Sequence, residues 1–197
     1  MTLAIWLAAA LLYFVFHAWY VGFGGKLTAA EVERYCERLA KIWTPAQVAQ
    51  IRGWLAGDTG REFYMVNVLR VHRATPSGET GYQLLLKYQQ PFLKAIFRRA
   101  GHPIAMARAS APSLELWGVE NCEDWDFAAM VRYRSRRDLA EILLMPHLHE
   151  IRAFKHDGVQ KTFAFPGDPA RILPGGPRLV VFLALLALAA LASLAVA

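Results

Sequence analysis

The chain has 197 residues, 55% of them hydrophobic, with 22 Lys+Arg against 16 Asp+Glu for a net charge of +6. That length suits one domain with additions, and a mean hydropathy of +0.24 is too apolar for an ordinary soluble domain. The pI of about 9.5 does not imply nucleic acid, because no helix carries a continuous basic face and no nucleic-acid motif is present. Cys36 and Cys122 are the only cysteines. They form no zinc pattern and require no disulfide, which suits a reducing compartment.

Residues 1–23 are expected to form a transmembrane helix. Thr2 to Gly22 contains no Asp, Glu, Lys or Arg, spans about the 20 residues a bilayer core requires, and shows no polar stripe. A cleaved signal peptide fits less well: no basic residue precedes the apolar run, and Gly22 and Gly24 make a poor cleavage site. Trp19, Tyr20 and Phe23 read instead as an interfacial aromatic belt. His17 is polar within this span, a functional lead by its position, but neither apolar span offers it a partner carboxylate.

Residues 26–60 predict a helical hairpin at the membrane surface. Thr28-Ala-Ala-Glu31 and Thr44-Pro-Ala-Gln47 are two capping boxes. Val32, Tyr35, Cys36 and Leu39 follow the first at helical spacing, and Val48, Ile51, Trp54 and Leu55 follow the second.

An α+β domain is expected over residues 61–166. FYMVNVLRV (63–71) reads as a buried strand. Thr80 to Ala100 reads as a helix with Tyr82, Leu85, Leu86, Leu93, Ile96 and Phe97 on its apolar side, and Pro91 inside it predicts a kink. Three strand-like runs follow: PIAMARAS (103–110), LELWGVE (114–120) and WDFAAMVRYR (125–134). In the last, Phe127, Ala129, Val131 and Tyr133 face one way and Met130, Arg132 and Arg134 the other. Arg132 is expected at a dimer interface or in solvent. Ser135 to Asp138 caps a further helix, and KTFAFP (161–166) closes the domain as a strand.

Residues 167–178 form a Pro/Gly-rich linker to a second transmembrane helix over 179–197, which is again free of charge. A removed lipid-anchor signal would need a polar spacer that is nearly absent. Ala189, Ser193 and Ala197 are spaced as a small-xxx-small packing face. Every charged residue lies between the two spans, so the positive-inside rule places the central domain in the cytoplasm and both ends outside.

The order β-α-β-β-(β)-α-β is most economically packed as one sheet with both helices on one face, a ferredoxin-like arrangement. The other face of the sheet is apolar and needs cover, which predicts a homodimer. FYMVNVLR, the helix with an internal proline, MVRYRS, SRRDLAEILLMP and KTFAFP together resemble the dimeric α/β-barrel superfamily, and more closely a bacterial branch of uncharacterised function. The resemblance covers residues 61–166. It implies a localisation in a bacterial inner membrane for a chain with these two spans. The superfamily includes haem-degrading and quinone-forming monooxygenases and muconolactone-type isomerases. Its haem-degrading members combine an Asn on the first strand with a His on the last helix. Asn67 matches the first by position, but the second register falls nearest Arg152, so those roles are not carried over.

MPHLHEIRAFKH (145–156) holds His147, His149 and His156. On a helix the first two point about 200° apart, and the last two are separated by about 10 Å of rise. No metal motif completes them, so no metal and no cofactor is expected. Asn67 shares a strand face with Phe63, Met65 and Leu69, where a buried amide must find a partner. Asn67, His102, Trp117 and Tyr133 are the candidates for a ligand pocket between sheet and helices. The leading expectation is a membrane-anchored protein with a binding or scaffolding role and a small hydrophobic ligand. The alternative is a cofactor-free monooxygenase or isomerase acting on a lipophilic, quinone-like substrate, with Asn67 and His102 as its polar groups.

Overall fold

The computed structural model describes residues 1–169 and 176–196. Its elements in chain order are α1 (Thr2–Val21), α2 (Ala29–Leu39), α3 (Pro45–Ala56), β1 (Phe63–Val71), α4 (Gly81–Arg98), β2 (His102–Arg108), β3 (Phe127–Tyr133), α5 (Arg136–Leu143), α6 (Pro146–Glu150), α7 (Arg152–Gly158), β4 (Val159–Gly167) and α8 (Pro177–Ala195). They form two compact units: Met1–Phe23 with Pro169–Ala197, and Gly24–Asp168. Half of the linker expected over 167–178, residues 170–175, lies outside the described residues, as does Ala197 of the small-residue face.

In the first unit, α1 and α8 are each long and apolar enough to cross a membrane, and almost nothing along them is buried. A core helix of a soluble domain would bury one face. The two lie against each other. The Tyr13 ring meets Phe182 edge-on with centroids 5.3 Å apart, the Arg178 guanidinium stands 5.8 Å from the Tyr20 ring centre, and Ala189 is buried.

The second unit is built on a four-stranded sheet in the order β2-β3-β1-β4, with every neighbouring pair antiparallel. With α4 between β1 and β2 and α5–α7 between β3 and β4, this is the ferredoxin-like α+β arrangement expected from the sequence. One element differs. LELWGVE is not a strand: residues 109–126 carry no strand, and Leu114 and Trp117 are almost fully exposed. β2 pairs directly with β3, so the run between them has no ladder to satisfy its backbone. It is held as a loop instead. The Ala109 amide donates to the Asp126 carbonyl, the Ser113 amide to the Glu123 carbonyl, and the Ser113 hydroxyl to the Cys122 carbonyl.

Local chemistry starts the helices where the sequence predicts. Thr28 with Glu31, Thr44 with Gln47 and Thr80 with Gln83 all close reciprocal capping boxes. The buried face of α4 is a second difference. Leu84, Leu85, Ala95 and Ile96 are buried, whereas Tyr82 and Phe97 are about half exposed. The helix continues through Pro91, and the sheet beneath it selects a stripe rotated from the one the leucines suggest. The start of α4 also meets the end of α7 closely: the Gly81 amide donates to the His72 carbonyl, and the His72 amide to the Gly158 carbonyl. A Cβ on Gly158 would sit 2.7 Å from the Gly81 carbonyl oxygen, so only glycine fits there.

Two clusters pack the sheet to the helices. Phe63, Tyr133, Ile96, Leu139 and Ile142 fill one end, and Leu69, Val71 and Leu85 the other. The α2–α3 hairpin has its own core of Val32, Cys36, Leu39, Val48, Ile51 and Leu55, which Ala140 of α5 joins. Polar groups lock it in place. The Asp58 carboxylate accepts the Leu27 amide at 2.8 Å and the Gly60 amide at 3.1 Å. The Arg136 guanidinium lies 4.9 Å from the Trp54 ring centre and donates to the Trp54 carbonyl. Arg137 pairs with Glu31 and, with the Thr28 amide, holds that carboxyl down to about 2. Arg132 corrects another expectation. It is not in solvent or at an outer surface but 2% exposed, donating to the Glu62 carboxylate at 2.7 Å and to the Ala100 carbonyl at 2.6 Å. Ala100 has a left-handed φ of 57°, and Arg132 fastens that turn at the end of α4.

Candidate ligand site

Between the two packed ends of the sheet, its centre stays open. The strand register explains why. Asn67 of β1 lies opposite Ala129 of β3 and Ala164 of β4, and Ala129 in turn lies opposite Met106 of β2. Two alanines flank one amide in the row where a large side chain would meet α4. The result is a cavity of about 560 Å³, within the range of roughly 300–1,000 Å³ typical of small-molecule sites. Met65, Asn67, Val131 and Tyr133 form its floor, and Leu85, Tyr88, Phe92 and Ile96 of α4 its roof. Ile51 and Trp54 of α3 close one side, and Arg152 and Lys155 of α7 stand at another.

The structure divides the four candidates from the sequence. Asn67 and Tyr133 line the cavity. The Asn67 amide nitrogen donates to the Met65 carbonyl at 3.1 Å, so the amide is held along its own strand. The Tyr133 ring stacks on Phe63 at 5.0 Å, with the planes 8° apart, and burial pushes its hydroxyl's pKa upward. His102 is placed elsewhere. It opens β2 opposite Arg132, on the sheet face away from Tyr133, and its Nδ1 lies 3.0 Å from the Pro103 carbonyl. Trp117 sits in the 109–126 loop, 84% exposed, because that loop has no strand partner.

Sequence reasoning missed the cations of α7. Lys155 Nζ lies 5.6 Å from the Tyr88 ring centre, and the Arg152 guanidinium 5.2 Å from the Trp43 ring centre. Burial lowers the pKa of Lys155, and the neighbouring Arg152 charge lowers it further. Burial pushes the Tyr88 hydroxyl up to about 12, with Arg152 opposing it. Neither cation makes an ion pair among the described residues. A signal was available. His149, Arg152 and His156 recur at i, i+3 and i+7, and Lys155 joins Arg152 at i+3, which gathers them along one helical side. His149 and His156 border a groove next to the cavity, together with Lys41, Glu150 and Arg152. Among the described residues no three His, Cys, Asp or Glu side chains gather as a metal site. The lining thus offers apolar and aromatic surface, four amides (Gln47, Gln50, Asn67 and Gln89), two phenols and two cations.

No family model matches the chain, and no curated protein sequence matches it. Solved structures do. A Rhodopseudomonas palustris protein of unknown function is 21% identical with a TM-score of 0.55, over 66% of this chain and 96% of its own. The methylated form of that protein gives 23% identity and a TM-score of 0.54, over 68% and 95%. A candidate antibiotic biosynthesis monooxygenase from Bacteroides thetaiotaomicron is 10% identical over 58% of this chain and 93% of its own, with a TM-score of 0.35. The likeness to the Rhodopseudomonas protein is one of fold.

Proposed function

We propose that the chain is a membrane-anchored binding protein whose α+β domain holds a small lipophilic ligand between its sheet and its helices. The observation that carries this reading is the cavity of about 560 Å³ at the Asn67 row, walled mainly by apolar and aromatic side chains. Two apolar helices bracket the domain in sequence and would hold it at the source of such ligands. The basic residues beside those helices support a cytoplasmic central domain, as in a bacterial inner membrane. Binding is favoured over catalysis because the polar candidates read from the sequence are held in the scaffold or turned away. Asn67 is tied to the Met65 carbonyl, Tyr133 is stacked on Phe63, and His102 faces away.

A homodimer belongs to the same proposal. Val66, Val68, Phe163 and Phe165 share the sheet face turned away from the helices, and Phe163 and Phe165 are 44% and 50% exposed. An apolar face of this kind marks an interface, and a second copy is the self-complementary cover. Native mass spectrometry of the full chain released from detergent tests both parts. The expected species is a dimer with an added small-molecule mass on each copy. A dimer that stays bare, even after incubation with membrane lipid extract, would overturn the binding reading. A monomer would overturn the interface.

A further inference from the structure

We infer that the ligand is a single-chain amphiphile with an anionic head, a carboxylate or a phosphate, which Arg152 and Lys155 receive while the chain lies in the cavity. The inference rests on the reading of the cavity as a binding site and adds the chemistry of its occupant. Three observations carry it. First, the cavity and the neighbouring groove share a wall: Trp43, Gln47 and Arg152 line both. One molecule reaching from apolar interior to open groove must pass Arg152. Second, the groove carries more positive than negative charge, with Lys41 and Arg152 against the single acid Glu150, and His149 and His156 add two imidazoles to its rim. Third, Arg152 and Lys155 rest on aromatic faces, Trp43 under Arg152 and Tyr88 under Lys155, and neither is within ion-pair distance of a carboxylate among the described residues.

The electrostatics agree with this geometry. Two like charges three residues apart on α7, partly withdrawn from water, repel each other and are unfavourable without a counter-charge. The downward pull on Lys155 records both effects. An anionic head placed between them would relieve both, through charge-assisted hydrogen bonds that are stronger than neutral ones. An uncharged head would relieve neither, and a cationic head would be repelled. The apolar chain would contribute about fourfold in affinity for each methylene that enters the cavity.

The test uses the full-length protein in phosphatidylcholine nanodiscs, with empty nanodiscs as the blank. Calorimetric titrations compare decanoate, decyl phosphate, decanol and decyltrimethylammonium. The inference expects both anions to bind at least tenfold tighter than decanol, and the cation to bind weakest. The tighter of the two anions identifies the head. Lys155→Gln and Arg152→Gln should each weaken the anions by tenfold to a hundredfold, the range for hydrogen bonds to charged groups. Decanol should stay within about twofold in both variants, which also reports that they are folded, and Lys155→Arg should keep anion binding. Decanol binding as tightly as decanoate, with both variants indifferent, would overturn the anionic head and leave the cavity reading standing. Failure of every probe to bind would overturn the cavity reading itself.

Discussion

The two faces of the sheet come from the same four strands and meet different fates. On the helix side, Phe63, Leu69 and Val71 of β1 are buried, and the strand loses its cover only around Met65 and Asn67. On the other side, Val66 and Val68 stand among Phe163, Phe165, Met130 and Ala128 with no helix over them. Alternation along a strand assigns side chains to faces, but it does not say whether a face is filled. The helix side is packed at both ends and open in the middle because Ala129 and Ala164 flank Asn67. The far side carries an exposed apolar patch around Phe163 and Phe165, bounded by the buried Arg132 towards one end of the sheet and by Arg70 and Lys161 towards the other. The first pattern suits a small guest, and the second suits a broad, flat partner such as another copy.

Substitutions at three positions separate these fates. The largest effect belongs to the packed end of the covered face. Phe63→Ala removes a ring that is 1% exposed, stacks on Tyr133 and meets Trp54 edge-on at 4.8 Å. A loss of about 3–5 kcal/mol in unfolding free energy is expected by denaturant titration, the usual cost of emptying such a site. A loss below about 1 kcal/mol would show that this end of the sheet is not close-packed. A smaller effect of opposite sign is expected in the open middle. Ala129→Leu adds apolar volume where the cavity lies, and should raise stability by about 1 kcal/mol after the entropic cost of ordering the side chain. Decanoate binding should fall by at least tenfold in the same protein. Unchanged binding would mean the guest does not occupy the Asn67 row. The smallest effect on folding is expected on the uncovered face. Phe165→Glu should shift unfolding by no more than about 0.5 kcal/mol, as for a surface change, while sedimentation turns the dimer into monomers. A variant that stays dimeric would place the interface elsewhere.

Much of the scaffold was readable from residues near one another in the chain. Thr28 with Glu31, Thr44 with Gln47 and Thr80 with Gln83 meet within three residues, so the helix starts were legible. The alternation of Phe127, Ala129, Val131 and Tyr133 assigned them to one face of β3, and Ala129, Val131 and Tyr133 of that face line the cavity. Legibility ended where a distant segment was needed. LELWGVE has strand composition but no neighbouring edge to pair with. Arg132 has the polar character of a surface residue, yet Glu62 and the Ala100 carbonyl, 70 and 32 positions away, draw it inside. The stripe of α4 was misjudged because the sheet, not the helix, chooses which of its apolar residues are buried.

The amino-acid order by itself determined two long apolar helices, an α+β domain between them with one strand too many, and an alternating apolar pattern on its strands. All of these follow from short-range periodicity and local hydrogen bonding. Tertiary structure alone decided that Ala129, Asn67 and Ala164 would share one row, that the row would lie under α4, and that Arg152 and Lys155 would stand beside it. Those positions depend on antiparallel register and on the packing of helices onto a sheet, which join residues up to about 100 positions apart.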